Sequence, residues 1–404
     1  MVPSNDNLTG GIMAIEEQMT VDERYKYLRM LHARYEDASR TERIRLLEEA
    51  VAMTGLNRTY VSHLLSHAGP VRKQRCRERE KEYGNEVKHA VRIVAESLDW
   101  ICPERLQPAL GKTAQHLAGF GELQVGDELL AQLEKISIST LTRMLQGMRP
   151  EIERLPQRRG KAPTGLARVI PMTRLDWRLD EPGHFEMDLV HHCGAQTTGD
   201  YVCTLQMIDV LTGWSERVAV YGRSAKEIVG AFELILSRCP MPILEVHMDN
   251  GAEFLNHPLL TFFGDKVSGV KVTRSRPYQK NDNRIVEQKN NTLVRAYLGH
   301  VRLDTRTQCT LLNRIYEDMW VYYNLFQPVL RQLSKETEST ADGLVRIHRT
   351  QDTAQTPLDR LLKTGVLSPA AQDDLLYIHE VTNPHTLRRD IQGRLDKLLA
   401  TSTY

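Results

Sequence analysis

ILEVHMDNGAEF, from Ile243 to Phe254, decides how this chain folds. The run Ile243-Leu244-Glu245-Val246 leads through His247 and Met248 into Asp249, Asn250 and Gly251. That pattern predicts a strand over Ile243 to Met248, with a carboxylate at its end where the chain turns. Asp-Asn-Gly in isolation is a good turn former. A carboxylate at a strand end can also hold a cation, and the choice between the two roles depends on what the rest of the chain brings beside it.

After Glu181 the apolar period changes to two. HFEMDLVHH, DYVCTLQMIDV and WSERVAVY are short β-rich runs separated by the turn signals GAQTTGD and LTGW, and they predict an antiparallel meander. Ser224 to Arg238 follows with helical spacing, Ile228, Phe232, Ile235 and Leu236 facing inward; Ile243 to Met248 is the fourth strand and Val270 to Thr273 the fifth. A further helix is expected from Asp282 to His300. Residues 181–305 therefore describe an α/β domain with a mixed sheet.

Three carboxylates fall where such a domain could gather them. Asp188 lies in mid-strand, Asp249 at the end of the fourth strand, and Glu287 on the helix of PYQKNDNRIVEQKNN. A strand fixes the direction of its side chains, and a helical Glu can reach over from one side. Lys280, Arg284, Glu287, Asn291 and Arg295 follow helical spacing, so Glu287 is expected within a basic stripe. Lys289 lies on the same helix, and Arg274, Arg276, Gln279 and Lys280 precede it. Carboxylates for cations, and cations for the flanking phosphates, suit a metal-bound phosphodiester. Glu186, Asp209 and Glu253 are assigned supporting roles, and His191, His192 and Cys193 packing roles, because consecutive strand residues alternate faces.

HMDNGAEF followed by SRPYQKNDNRIVEQKN closely resembles the catalytic core of bacterial insertion-sequence transposases and retroviral integrases, the DDE group of the ribonuclease-H-like fold. EMDLVHHCG, IDVLTGW, YYNLFQPVL and TPLDRLLKTGVLS extend the resemblance to one branch of bacterial transposases, over most of the chain. The resemblance implies that Asp188, Asp249 and Glu287 are the catalytic, metal-holding triad, with Asn250, Gly251, Glu253 and Asn291 supporting it. The interval between Asp249 and Glu287 is slightly longer than the commonest in the family. Also implied are two Mg²⁺ ions per site, replaceable by Mn²⁺, double-stranded DNA partners (element ends and target), and a homodimer or larger assembly on DNA. No nucleotide cofactor is expected. The function implied is a transposase that binds the terminal repeats of an insertion sequence, cuts DNA and joins strands. The alternatives are a catalytically silent DNA-binding regulator and a plain metal-dependent nuclease.

The flanking regions complete a multidomain expectation. Val21 to Tyr35 is helical, with Tyr27, Leu28, Leu31 and Tyr35 near one face. In TERIRLLEEAVAMTGLNRTYVSHLLSH, Thr41 is expected to cap a helix with Ile44, Leu47 and Val51 inward. Gly55 ends it, and Asn57 starts a second helix with Val61, Leu64 and Leu65 inward. Residues 1–70 thus form an all-α helix-turn-helix region that presents Arg58, Thr59, Ser62 and His63 outward, a set able to meet phosphates and base edges. The simpler reading is an ordinary helical hairpin. Residues 71–85 are a basic linker. Residues 86–150 are a second helix-turn-helix-like region, interrupted by ICPERLQPALGK and GFGELQVGD, in which Ser137 or Ser139 caps a last helix with Leu141 and Leu145 inward and Thr140 and Arg143 outward. Residues 151–180 are a basic, Pro-containing linker, and residues 306–404 are mostly helical. The expected DNA contacts are Arg58, Thr59, Ser62, Arg143, Arg274, Arg276, Lys280, Arg284, Lys289 and Arg295.

Composition sets the remaining bounds. A chain of 404 residues, 41% hydrophobic and 26% charged, can bury several cores, and no run of roughly 18 apolar residues suggests a membrane span. A net charge of +1 does not announce a nucleic acid, yet VRKQRCREREK and RPEIERLPQRRGK are local basic clusters. The N-terminal stretch lacks the pattern of a secretory signal, so the cytoplasm, in association with the nucleoid, is the expected location. Six scattered cysteines argue for reduced thiols. His63 and His67 have zinc-finger spacing but no C-x2-C partner, and LGKT at Leu110 to Thr113 lacks the first glycine of a nucleotide loop.

Overall fold

A computed structural model of the chain describes residues 19–66, 82–149, 180–248, 269–275, 283–339 and 345–402, together with residues 70 and 262. Contacts divide it into two compact units, Met1–Glu82 and Tyr83–Tyr404.

The first unit is built from α1 (Val21–Asp37), α2 (Arg40–Thr54) and α3 (Arg58–Ser66). Thr20 and Glu23 close α1 with a capping box. Ser39, not Thr41, caps α2, accepting from the Glu42 backbone N–H; Ser39 is the residue with an acid at its third helical position, which is the capping signature. The register follows from that start. Ile44 is 43% exposed, while Leu46, Leu47 and Ala50 pack with Leu28, Leu31 and Tyr35 of α1 and Val61 and Leu65 of α3. Gly55 ends α2 at φ +65°, a conformation open to glycine at little cost. Asn57 then accepts from Thr59 N at 2.9 Å as α3 begins. On α3, Arg58, Thr59 and His63 are exposed and Ser62 is half-buried.

The second unit is organised by a five-stranded mixed sheet of order β3-β2-β1-β4-β5. β1 (His184–His191), β2 (Val202–Asp209) and β3 (Ser215–Tyr221) form the antiparallel meander; β4 (Glu245–Met248) lies parallel to β1 and β5 (Lys271–Arg274) parallel to β4. This arrangement is consistent with an integrase-like core. Between β3 and β4 runs α9 (Ala225–Arg238), capped by Ser224, burying Ile228, Phe232 and Ile235. Gly183 joins the strand starts: its carbonyl accepts from Leu244 N and Glu245 N, and its N–H donates to Asp209 at 2.8 Å. A Cβ there would lie 2.5 Å from the Pro242 carbonyl oxygen, so the approach needs glycine.

Residues 86–150 are not a unit of their own. α4 (Asn85–Ser97), α5 (Pro103–Leu106), α6 (Leu110–Gly119), α7 (Asp127–Lys135) and α8 (Ile138–Gln146) share one continuous apolar core with β1, β2, β3 and α9. The expected break at ICPERLQPALGK is instead helical, because Pro103 and Pro108 sit in first turns, where a missing N–H costs nothing. Ser137 caps α8, as one of the two expected residues.

Past the sheet come α10 (Arg284–Lys289), a π-helical turn Asn290–Arg295, α11 (Ala296–Leu298), α12 (Arg306–Val321) and a second π-turn Tyr322–Phe326. The C-terminal region also holds a hairpin, β6 (Gln332–Ser339) with β7 (Val345–Gln351), before α13 (Pro357–Thr364), α14 (Pro369–Val381) and α15 (Pro384–Ala400). That hairpin departs from the mostly helical expectation; QLSKETES has too few apolar or β-branched residues to announce a strand.

Two buried charges tie the sheet to its cover. Glu216 accepts from both indoles, Trp214 at 2.9 Å and Trp320 at 2.7 Å, and from Arg238 at 2.6 Å. Arg217, 2% exposed, donates to the Leu293 and Met319 carbonyls and lies against the rings of Tyr316 and Tyr323. It therefore serves one carbonyl of the first π-turn and one just before the second, where i→i+4 bonding is interrupted.

Candidate active site

Asp188 stands in the middle of β1, opposite Gln206 of β2, which is itself opposite Arg217 of β3. Carboxylate, amide and guanidinium thus form one row across three strands. Asp188 accepts from Leu189 N at 2.8 Å and from the Asn290 side-chain amide at 2.5 Å. Glu186, two residues earlier and on the same face, accepts from the backbone N–H groups of Ile285 at 2.8 Å and Val286 at 2.9 Å. Burial pushes the Glu186 carboxyl up to about 7, while those two amides, which favour its ionised form, pull the other way. One face of β1 therefore grips the α10 segment at two points, its first turn and the residue just past its last. Glu287 lies between them in the chain and is exposed.

On β4 the register is equally definite. Met187 pairs with Met248. Asp188 is the next residue on one strand and Asp249 the next after the other. Asp249 itself lies outside the described residues, as do Asn250, Gly251, Glu253, Arg276 and Lys280.

The π-turn changes which side chains meet the site. An unbroken α-helix would align Glu287 with Asn291 and Arg295; the wider turn at Asn290–Arg295 breaks that period. Asn290 reaches Asp188, and Asn291 is exposed. Arg295 is turned partly inward, donating to the Gly299 carbonyl at 3.0 Å and the His191 carbonyl at 2.8 Å, and burial lowers its pKa. Arg274 is 1% exposed. The strand end thus places Arg274 inside the protein instead of on the surface expected of a DNA contact, and Arg295, at the end of the π-turn, is half-buried. Arg284 and Lys289 are half-buried on α10, with the Lys289 ammonium 5.1 Å from the centroid of Tyr323. Arg143 is exposed on α8, its guanidinium donating to Ser139 O and Thr140 Oγ1.

Neighbouring polar residues take other roles. Asp209 is buried, accepting from Gly183 N, Thr212 N and Thr212 Oγ1, and anchors the turn after β2. His192 is buried beside Thr204 Oγ1 at 2.8 Å, and burial holds its pKa down at about 3; His191 faces the Tyr201 hydroxyl.

The donor chemistry around Asp188 suits a hard divalent cation. Asp188 supplies a carboxylate, and Asn290 Oδ1 is buried with no hydrogen-bond partner among the described residues. Both amide atoms of Gln206 are in the same condition. An orphaned carboxamide oxygen beside a carboxylate matches the oxygen-only ligation of Mg²⁺. Among the described residues, no three His, Cys, Asp or Glu side chains gather around one point. Sequence spacing missed Asn290 and Gln206. The only signal for Gln206 was an amide in an otherwise apolar strand core; for Asn290 there was none, since the π-turn is not written in the apolar period.

No family model matches the sequence. The chain is 33% identical over 318 residues to "Uncharacterized protein y4rM" of Sinorhizobium fredii (strain NBRC 101917 / NGR234), covering 78% of this chain and 89% of that protein. Among solved structures it is similar to the catalytic core domain of BIV integrase, with TM-score 0.30, 16% identity, 45% of this chain and 95% of that one covered. It is also similar to the HTLV-2 integrase catalytic core domain in complex with magnesium, with TM-score 0.27, 19% identity, 37% of this chain and 90% of that one covered. At such scores the fold rests on the strand order and register rather than on these likenesses.

Proposed function

This chain belongs to the family of the Sinorhizobium fredii protein y4rM, and we propose that it is a DDE transposase, which binds the terminal repeats of a mobile element and cuts and joins DNA. The observation that carries the proposal is the double attachment of the Glu287 segment to the strand of Asp188, through Glu186 and Asn290. Asp249, following the β4 residue paired with Met187, is the third member. When bound at Asp188, Asp249 and Glu287, two Mg²⁺ ions would activate the attacking water or 3′-OH and stabilise the leaving oxygen.

The chain's own residues supply position. The Asn290 side-chain N–H donates to Asp188 and orients its carboxylate. Glu186 keeps the first turn of α10 on the sheet, so Glu287 has a fixed base. The exposed Arg58 and Thr59 of α3, with Ser62, are the proposed contacts to the element ends, and a dimer on DNA is the proposed assembly.

The test is a Mg²⁺ or Mn²⁺ assay with labelled DNA bearing the sequences that flank the gene, comparing wild type with Asp188→Asn and Asp249→Asn. Cleavage and joining by wild type alone, with end binding kept in all three, is the expected result. Cleavage without joining would mark a plain nuclease. End binding without cleavage in all three would mark a regulator, and loss of binding in step with cleavage would remove the catalytic assignment.

A further inference from the structure

Beside α10 the second unit opens a groove of about 640 Å³. It is lined by the turn after β2, by α10 with its π-turn, by α5, by the outer ends of β6 and β7, and by α13. Six lining residues are cationic, Arg105, Arg284, Lys289, Arg331, Arg349 and Arg360, against a single acid, Asp209. Asp209 is turned to its own hydrogen bonds with Gly183 and Thr212. Arg360 is paired with Asp352 at 2.5 Å, and Arg105 is held by the Pro328 carbonyl at 2.6 Å, which orients its charge without neutralising it. Like charges crowded around one opening repel, and a concave wall focuses their field on whatever anion enters. Burial, and after it the charge of Arg360, lower the Arg331 pKa, while Asp352, Asp209 and Asp180 act the other way.

The lining also defines the ligand. Gln288, Thr292, Gln332 and Gln351 add neutral hydrogen-bonding groups, and no aromatic side chain lines the groove among the described residues. Phosphates can therefore be held, but there is no platform on which to stack bases. The volume falls within the range of about 300–1,000 Å³ that encloses small ligands, which suits one strand and not a duplex. Arg284 and Gln288, both in the lining, lie three residues before and one after Glu287. Arg284, Ile285, Gln288, Lys289 and Thr292 give the groove one face of α10 and its π-turn, and Glu287 and Asn290 lie outside the lining. We infer that it carries the sugar–phosphate backbone of a single DNA strand, a role that rests on the proposed function.

The experiment is fluorescence anisotropy of the full chain in EDTA with a labelled single-stranded DNA, as a function of salt. The variants are Arg331→Ala, Arg349→Ala, their combination and Arg349→Lys, with Asp188→Asn as a control. Each alanine should lower the slope of log K against log salt by about 0.7, with the pair adding and Arg349→Lys restoring the slope. Asp188→Asn, which removes no cation, should keep the wild-type slope. Wild-type slopes in folded alanine variants, matched by their melting curves, would overturn the groove while leaving the cleavage reading intact. A preference for RNA of the same sequence would overturn it too. A wild type that never cuts or joins, yet shows the slope changes, would remove the transposase and leave the groove as a DNA-strand site.

Discussion

Asn290 can be altered without touching a carboxylate. Replacing a group that orients a ligand typically costs about 10–100-fold in metal affinity or activity. Asn290→Ala is expected to lower cleavage by that amount, with partial recovery as Mg²⁺ is raised; rates across a Mg²⁺ titration check it. A loss that no concentration of metal relieves would mean that Asn290 only packs. Glu186 works differently, because removing it leaves two amide N–H groups without their acceptor, at about 1–3 kcal/mol each. Glu186→Ala should therefore lower stability to denaturant, and Glu186→Gln, which keeps an acceptor oxygen, should lower it less.

β4 and β5 are short, and the pairing of β4 with β1 on one side and β5 on the other is reinforced by a charged cluster around Glu245. Burial raises the Glu245 carboxyl, but hydrogen bonds from His184, Thr273 and Lys271 outweigh it and hold its pKa down at about 2. A carboxyl depressed from 4.5 to about 2 contributes roughly 3 kcal/mol above its unfolded pKa, lost as pH falls from about 4.5 towards 2. Glu245→Gln should thus be clearly less stable than wild type at pH 7, and the gap should close by about pH 2; urea unfolding at several pH values measures it. The strand itself was legible from its apolar run and turn. Its partners were not, since parallel neighbours are far apart in sequence and no local pattern names them.

Across the molecule, the boundary that matters falls at residue 82. A fragment of residues 83–404 should fold cooperatively and keep metal-dependent cleavage while losing selective end binding, whereas 151–404 should lose fixed tertiary packing. The second fragment strips Leu98, Leu106, Leu117, Leu133 and Leu141 from a core that continues into Phe185, Met187 and Phe232. Near-UV circular dichroism and calorimetry of both fragments distinguish this from a separable region at 86–150. No described helix is long and apolar enough to cross a membrane.

The sequence by itself determined the strand and helix types of the core and the glycine turn between α2 and α3. Those features arise from local period, capping and turn chemistry, which act over a few residues. Only the tertiary structure decided that the helices of 85–146 share the sheet's core, that Arg274 is buried and Arg295 turned partly inward, and that Asn290 rather than Asn291 reaches Asp188. Each of these depends on contacts between distant segments or on a π-turn that shifts the helical register, and neither leaves a mark in the local pattern.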